Sequence, residues 1–493
     1  MNQRIRRLAA GLLLCYLVLF VQLNLLQVGK DKELKADPRN TREAVKEFNK
    51  PRGQIVTADN VVLAQSVPST DGFDYQREYP TKNLFANVTG YYSYAYGATQ
   101  LEKTQNGILS GSDVREQLGG LGGIFNGKND RSGTVRLTMR ADLQQLAKDQ
   151  LAGREGSVVM FDPRTGAVLA MYSEPSYDPN WISDHNTSDA EKWLEYLNAN
   201  GSKPLLANAY QERYMPGSTF KVVTTTAALE NGVVTPDRQF AEESQYLPPQ
   251  TTDPIENYGG HSCGGDFASV FARSCNTPFA RLAVELGAEK MVATANAFGI
   301  NEAPPFDLPR PAASHFGTVD DFVDNIPLLA IRGFGQNEDA LTPLQMGMIA
   351  STVANGGNEM QPHVIDSLLD HDGNVLSRTE PKVWKTPMRP ETAATLTQLM
   401  IGVVQTGTAK STMQLENGIQ AAAKTGTAQL NAKGQPQRSH AWIMAFAPAE
   451  APRVAVAVML KGVNDEISAG TGGKLAGPIA KAMLDLGLQV VPV

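Results

Sequence analysis

Pro216-Gly217-Ser218-Thr219-Phe220-Lys221-Val222-Val223-Thr224-Thr225-Thr226-Ala227-Ala228-Leu229 is the stretch from which the fold is read. Val222 to Leu229 suits a helix, and the Ser218-to-Lys221 tetrad follows Pro216 and Gly217 directly. Ser218 and Lys221 stand three apart at the start of that helix, so they share one face. A serine hydroxyl is a weak nucleophile at neutral pH and needs a neighbour that accepts its proton in the transition state. A lysine one turn on does this once burial or a nearby cation lowers its pKa. A serine at a helix start also gains from free backbone N–H groups. Ser and Lys three apart are common on solvated helices. Here the flanking Val222, Val223, Ala227, Ala228 and Leu229 indicate a buried helix instead, where a charged lysine is out of place.

Two further patterns follow in order, each occurring once: Ser274-Cys275-Asn276 and Lys424-Thr425-Gly426. The second lies in a strand-like run, and Gly426 would let a substrate backbone approach closely.

Outward from these motifs, Ser157–Phe161 and Ala167–Tyr172 read as a hairpin around Asp162-Pro163-Arg164-Thr165-Gly166. Leu143, Leu146, Ala147 and Leu151 recur at helical spacing just before it. Runs 419–428, 440–447 and 454–460 read as consecutive strands. An antiparallel sheet built from both ends of this region, with helices packed on it, is the simplest arrangement. Upstream, 31–133 is polar and irregular, with Tyr91, Tyr92, Tyr94 and Tyr96 set among glycines. Gly119, Gly120, Gly122, Gly123 and Gly127, with Gly133, mark a linker.

The three motifs together resemble those of the penicillin-recognising serine acyltransferases. Within them the chain looks like a class B penicillin-binding protein of the penicillin-binding protein A type. That likeness extends to Arg52-Gly53-Gln54-Ile55, Leu63-Ala64, Leu101-Glu102, Leu109-Ser110-Gly111, Gly335-Gln336, Thr342-Pro343-Leu344-Gln345 and the 440–448 segment. It departs from the family at Ala58-Asp59-Asn60, where an Asp-Arg pair is often found.

The resemblance implies an α/β (α+β) penicillin-binding transpeptidase fold, a central antiparallel sheet flanked by helices, with an extended N-terminal pedestal domain and one transmembrane helix. It divides the chain into an anchor (1–28), a non-catalytic pedestal (29–149) and a transpeptidase domain (150–493). It also implies roles. Ser218 is the acylated nucleophile and Lys221 its base or proton shuttle. Ser274 is a relay to the leaving group, and Asn276 binds the substrate amide and orients Lys221. Lys424 and Thr425, with Gly426 and Thr427 beside them, hold the substrate, Lys424 and Thr425 taking its terminal carboxylate. The N–H groups of Ser218 and Thr427 form the oxyanion hole.

The implied activity is that of a peptidoglycan D,D-transpeptidase acylated by β-lactams, acting on stem peptides. A D,D-carboxypeptidase and a β-lactam-binding sensor are the alternatives. A hydrolytic β-lactamase is disfavoured, because Leu308-Pro309-Arg310-Pro311 stands where a deacylating glutamate would lie. Residues 29–149 are too few for a glycosyltransferase domain. The resemblance implies that the glycan comes from a partner polymerase of the shape, elongation, division and sporulation (SEDS) family, with RodA-like membrane helices.

Composition agrees. A net charge of −7 argues against nucleic acid as a partner. Leu8–Leu26 is an apolar run long enough to cross about 30 Å of hydrocarbon, and Arg4, Arg6 and Arg7 precede it without a small-residue cleavage site after it. A single uncleaved anchor in the cytoplasmic membrane is expected, with the catalytic domain outside. Cys263 and Cys275 either form a short-loop disulfide, given an oxidising compartment, or remain two buried thiols. His261 and Cys263 make a poor metal site, and neither metal nor cofactor is expected.

Overall fold

The computed structural model describes residues 2–24, 45, 48–113, 132–431 and 435–492. Residues 25–26 of the apolar run and the glycines between 119 and 127 lie outside them.

The core of the larger part is a five-stranded sheet in the order Ala422–Gln429, Ser439–Ala447, Val454–Leu460, Gly156–Phe161, Val168–Glu174. Every neighbouring pair is antiparallel. The three central strands are buried along their whole length, so they read as continuous apolar runs rather than alternating ones. Their two faces are told apart by glycines. A Cβ on Gly347 of helix Pro343–Ala354 would meet the Phe161 ring at 2.6 Å, whereas one on Gly487 of helix Gly477–Val490 would meet Met160 at 2.1 Å. Adjacent strand residues point to opposite faces, so these helices cover opposite sides of the sheet. Each approaches closely because its contact residue has no side chain.

The hairpin Gly156–Glu174 turns where its residues predict. The Asp162 carboxylate accepts from the Arg164 N–H at 2.9 Å, and Gly166 takes a φ of +80°. Helix Ala141–Leu151 packs on the outer strand, its buried Gln144 bonding the N–H and C=O of Met171.

A second sheet has six strands, in the order Val375–Arg378, Ile365–Leu369, Thr134–Leu137, Ile55–Val56, Val62–Pro68, Tyr75–Glu78. Its two outermost strands on one side come from beyond residue 364, inside the region that carries the motifs. The N-terminal part is therefore less self-contained than its irregular sequence suggests. Arg52-Gly53 and Leu101-Glu102 meet in its interior. The fully buried Glu102 carboxylate takes Arg52 Nε at 2.5 Å and Arg77 Nε at 2.7 Å, and Tyr79 donates to it at 3.1 Å. Burial opposes ionisation of this acid, but the two guanidiniums prevail and hold its pKa below the usual range. At the departure noted above, Asp59 caps the Ala141 N–H at 3.0 Å and Asn60 accepts from Arg136 at 3.1 Å.

Helix Asn2–Asn24 carries apolar side chains that are exposed on all sides. Its Gln3–Asn24 segment has a mean hydropathy of 1.7 and is long and apolar enough to cross a membrane.

Candidate active site

Gly217 to Phe220 form one 3-10 turn that runs into helix Lys221–Glu230. The turn is held by backbone on two sides. Gly217 has a φ of +56°, and a Cβ there would lie 2.6 Å from the Thr427 carbonyl oxygen. Its N–H donates to the Gly335 carbonyl at 2.8 Å. Fully buried Trp442 donates from Nε1 to the Met215 carbonyl at 2.9 Å, fixing the approach. Ser218 is left half-buried at the surface of this wedge.

Lys221 is fully buried, as its apolar flanks predict. Its ammonium donates to the Ser274 carbonyl and to Asn276 Oδ1, both at 2.8 Å, and more distantly to Ser274 Oγ at 3.4 Å. Burial, and then the charge of Lys424, push its pKa well below the ordinary lysine value. Lys424, equally buried, donates to Ser274 Oγ at 2.8 Å and to the Thr425 carbonyl at 2.9 Å. Burial lowers its pKa to about 7. The Ser274 hydroxyl thus sits between two amines, and Ser274 itself holds a left-handed φ of +61°. A non-glycine residue in that region is strained and persists only where its surroundings enforce it.

Lys424, Thr425, Gly426 and Thr427 follow one another on the edge strand Ala422–Gln429. Thr425 Oγ1 lies 2.5 Å from Thr408 Oγ1, and the Thr427 hydroxyl accepts from the Gly472 N–H at 3.3 Å. Gly426 also lies against the serine turn. A Cβ there would meet the Pro216 oxygen at 2.8 Å and the Thr219 N at 3.0 Å, so the space it leaves is filled by the serine turn itself.

Lys221, Ser274, Asn276 and Lys424 are thus joined by hydrogen bonds, and the serine turn that carries Ser218 lies against Gly426 and Thr427 of strand Ala422–Gln429. Cys263 and Cys275 are joined in a disulfide, with 5.7 Å between their Cα atoms, which decides between the two cysteine readings. Sequence reasoning missed Asn257, whose side chain braces Asn276, and Thr408 beside Thr425. Both lie in polar loops without periodicity. Gln336, which donates to the Thr427 carbonyl at 3.3 Å, stood in a matched segment without a role.

Known proteins are similar to this chain in sequence and fold. The family described as "Penicillin binding protein transpeptidase domain" matches residues 156–485, and "Penicillin binding protein A dimerisation domain" matches 52–135. The chain belongs to the penicillin-binding protein transpeptidase family. It is 40% identical to the peptidoglycan D,D-transpeptidase PbpA of Mycolicibacterium smegmatis, over 99% of both chains. To the PbpA of Mycobacterium tuberculosis it is 38% identical over the full length of both. The ceftriaxone acyl-enzyme complex of penicillin-binding protein A from M. tuberculosis superposes with a TM-score of 0.84 at 37% identity. That match covers 90% of this chain and all of the other.

Proposed function

We propose that this chain is a membrane-anchored peptidoglycan D,D-transpeptidase that cross-links stem peptides through an acyl-enzyme on Ser218 and is acylated there by β-lactams. The observation that carries the reading is Lys221: a buried amine one turn from Ser218, bonded to Ser274 and Asn276, with its pKa driven far down. Its ammonium form has three protons and three acceptors around it, none of them Ser218. The neutral form keeps two N–H bonds, to the Ser274 carbonyl and Asn276 Oδ1, and frees a lone pair for the Ser218 proton.

The chemistry then runs in two halves. Ser218 Oγ attacks the carbonyl of the penultimate residue of a donor stem peptide while Lys221 takes its proton. The N–H groups of Ser218 and Thr427 stabilise the oxyanion, in keeping with the contact between the Gly217 and Thr427 backbones. The C–N bond breaks, and the proton passes by way of Ser274 to the departing amine. An acceptor amine next attacks the ester, the peptide bond forms and the proton returns to Ser218. Lys424 in its charged form and Thr425 hold the terminal carboxylate. Asn276 holds the substrate amide, and Gly426 and Thr427 complete the binding strand.

The domain limits follow the same reading: anchor 1–28, pedestal 29–149 and transpeptidase domain 150–493. The two matched family segments fall within the second and third of these. The helix Asn2–Asn24 anchors the chain in the cytoplasmic membrane by a single pass, with the catalytic domain outside, where the Cys263–Cys275 disulfide is chemically at home. By the family resemblance, the glycan strand comes from a separate SEDS-family, RodA-like partner. The test is incubation with a D,D-terminated stem peptide and an excess of a D-amino acid. Exchange of the terminal residue is expected. Release of that residue without exchange would indicate a carboxypeptidase.

A further inference from the structure

Asn276 begins helix Thr277–Ala297, and the first N–H groups of a helix have no partner within it. An asparagine in this place ordinarily caps its own helix. This one cannot, because its side chain is engaged elsewhere: Oδ1 accepts from Lys221, and Nδ2 donates to the Glu256 carbonyl at 3.0 Å. The missing cap comes from outside the helix. Asn257 Oδ1 accepts from the N–H of Asn276 at 2.7 Å and from that of Thr277 at 3.1 Å. Its Nδ2 donates to the Glu243 carbonyl at 2.9 Å, and the residue is buried.

Glu256 and Asn257 lie on an arm made of strands Gln239–Glu243, Gln245–Tyr246, Ile255–Glu256 and Cys263–Asp266. That arm is also tied to the motif by the Cys263–Cys275 disulfide. The Glu256 carbonyl fixes which way the Asn276 amide faces, turning its oxygen to Lys221. Asn257 fixes the backbone that carries it. The strained Ser274 directly precedes this clamped segment.

We propose that Asn257 is a positioning residue for acyl transfer: by capping the Asn276 and Thr277 N–H groups from the arm, it frees the Asn276 side chain to hold Lys221 and keeps Ser274 in its strained conformation. Asn257 acts through Asn276 and Ser274, not on the substrate. The proposal rests on the reading of Ser218 as an acylated nucleophile, and two measurements separate the two.

Full-length wild type, Asn257→Ala and Asn257→Asp are compared without reductant. Amide hydrogen exchange at 276 and 277 reads the clamp itself. Stopped-flow acylation by a fluorescent penicillin reads its consequence. Asn257→Ala should exchange faster at both amides and lose at least about tenfold in the limiting acylation rate, with the dissociation constant of the initial complex unchanged. Asn257→Asp keeps an acceptor for both N–H groups and should regain most of that rate. Wild-type exchange in Asn257→Ala overturns the proposal, as does an Asn257→Asp rate no better than that of Asn257→Ala. Faster exchange at 276 and 277 beside a wild type that penicillin does not acylate supports the clamp and contradicts the functional reading instead.

Discussion

The Ser274 hydroxyl accepts a hydrogen bond from the Lys424 ammonium at 2.8 Å, across 150 residues of chain. Lys221 reaches the same oxygen at 3.4 Å. Two buried amines around one hydroxyl cannot both carry a proton cheaply, and each disfavours the charge of the other. The proposed division of labour, Lys221 neutral as a base and Lys424 charged as a carboxylate holder, keeps only one of the two charged.

That division predicts a bell-shaped pH profile for the second-order rate of acylation. Lys424 titrates at about 7, so the rate should fall as the pH rises past that value and the carboxylate loses its partner. Burial and the Lys424 charge push Lys221 well below its ordinary value, and the acid limb is the side on which it regains its proton. In Lys424→Arg the charge persists at every accessible pH, and the alkaline limb should disappear even where the rate itself is reduced. Stopped-flow acylation from pH 5 to 9.5 checks this.

Gly335→Ala should cripple the serine turn. Gly335 has a φ of +78°, and a Cβ would sit 2.1 Å from the Gly217 oxygen. Backbone strain on the order of 1–3 kcal/mol must be relieved by moving Gly217 and with it Ser218. The acylation rate should fall by more than about tenfold, measured on protein whose circular dichroism matches wild type.

The Glu102 cluster predicts a loss of stability without a loss of chemistry. Glu102→Ala leaves Arg52 and Arg77 buried without their carboxylate, a change that costs roughly 3–5 kcal/mol. Denaturant unfolding should show it, while the folded fraction should acylate at the wild-type rate because these residues lie in the N-terminal sheet region.

His440 gives a pH-dependent stability. Burial, and then the Lys461 charge, depress its pKa from 6.5 to about 4, and its Nδ1 accepts from the Gly462 N–H at 3.0 Å. A depressed folded value means the contribution is present above the unfolded pKa and lost as pH falls through the folded one. Its size is up to roughly 3 kcal/mol at about 1.4 per pKa unit. Urea midpoints should decline between pH 6.5 and 4 in wild type and decline less in His440→Asn.

Much of this architecture was legible in the residues. The strands around Asp162-Pro163-Arg164-Thr165-Gly166 and the run 454–460 lie where apolar patterning and turn chemistry put them, within a residue or two. The buried helix after Ser218 was readable because a lysine stood among Val222, Val223 and Ala227. Long-range pairing was not legible. Ile365–Leu369 joins the N-terminal sheet because its backbone finds Thr134–Leu137, a contact that no local signal encodes. Asn257 escaped for a similar reason: it acts through one side-chain amide that reaches the start of a helix elsewhere in the chain, and a lone polar residue in a loop carries no period.

Ser218 is the proposed acylated nucleophile. Its most direct test is intact-mass analysis after exposure to penicillin, followed by proteolysis and peptide mapping. One long-lived adduct of the whole drug mass is expected, located on Ser218 and absent from Ser218→Ala. An adduct on any other residue, or one released within seconds, would contradict it.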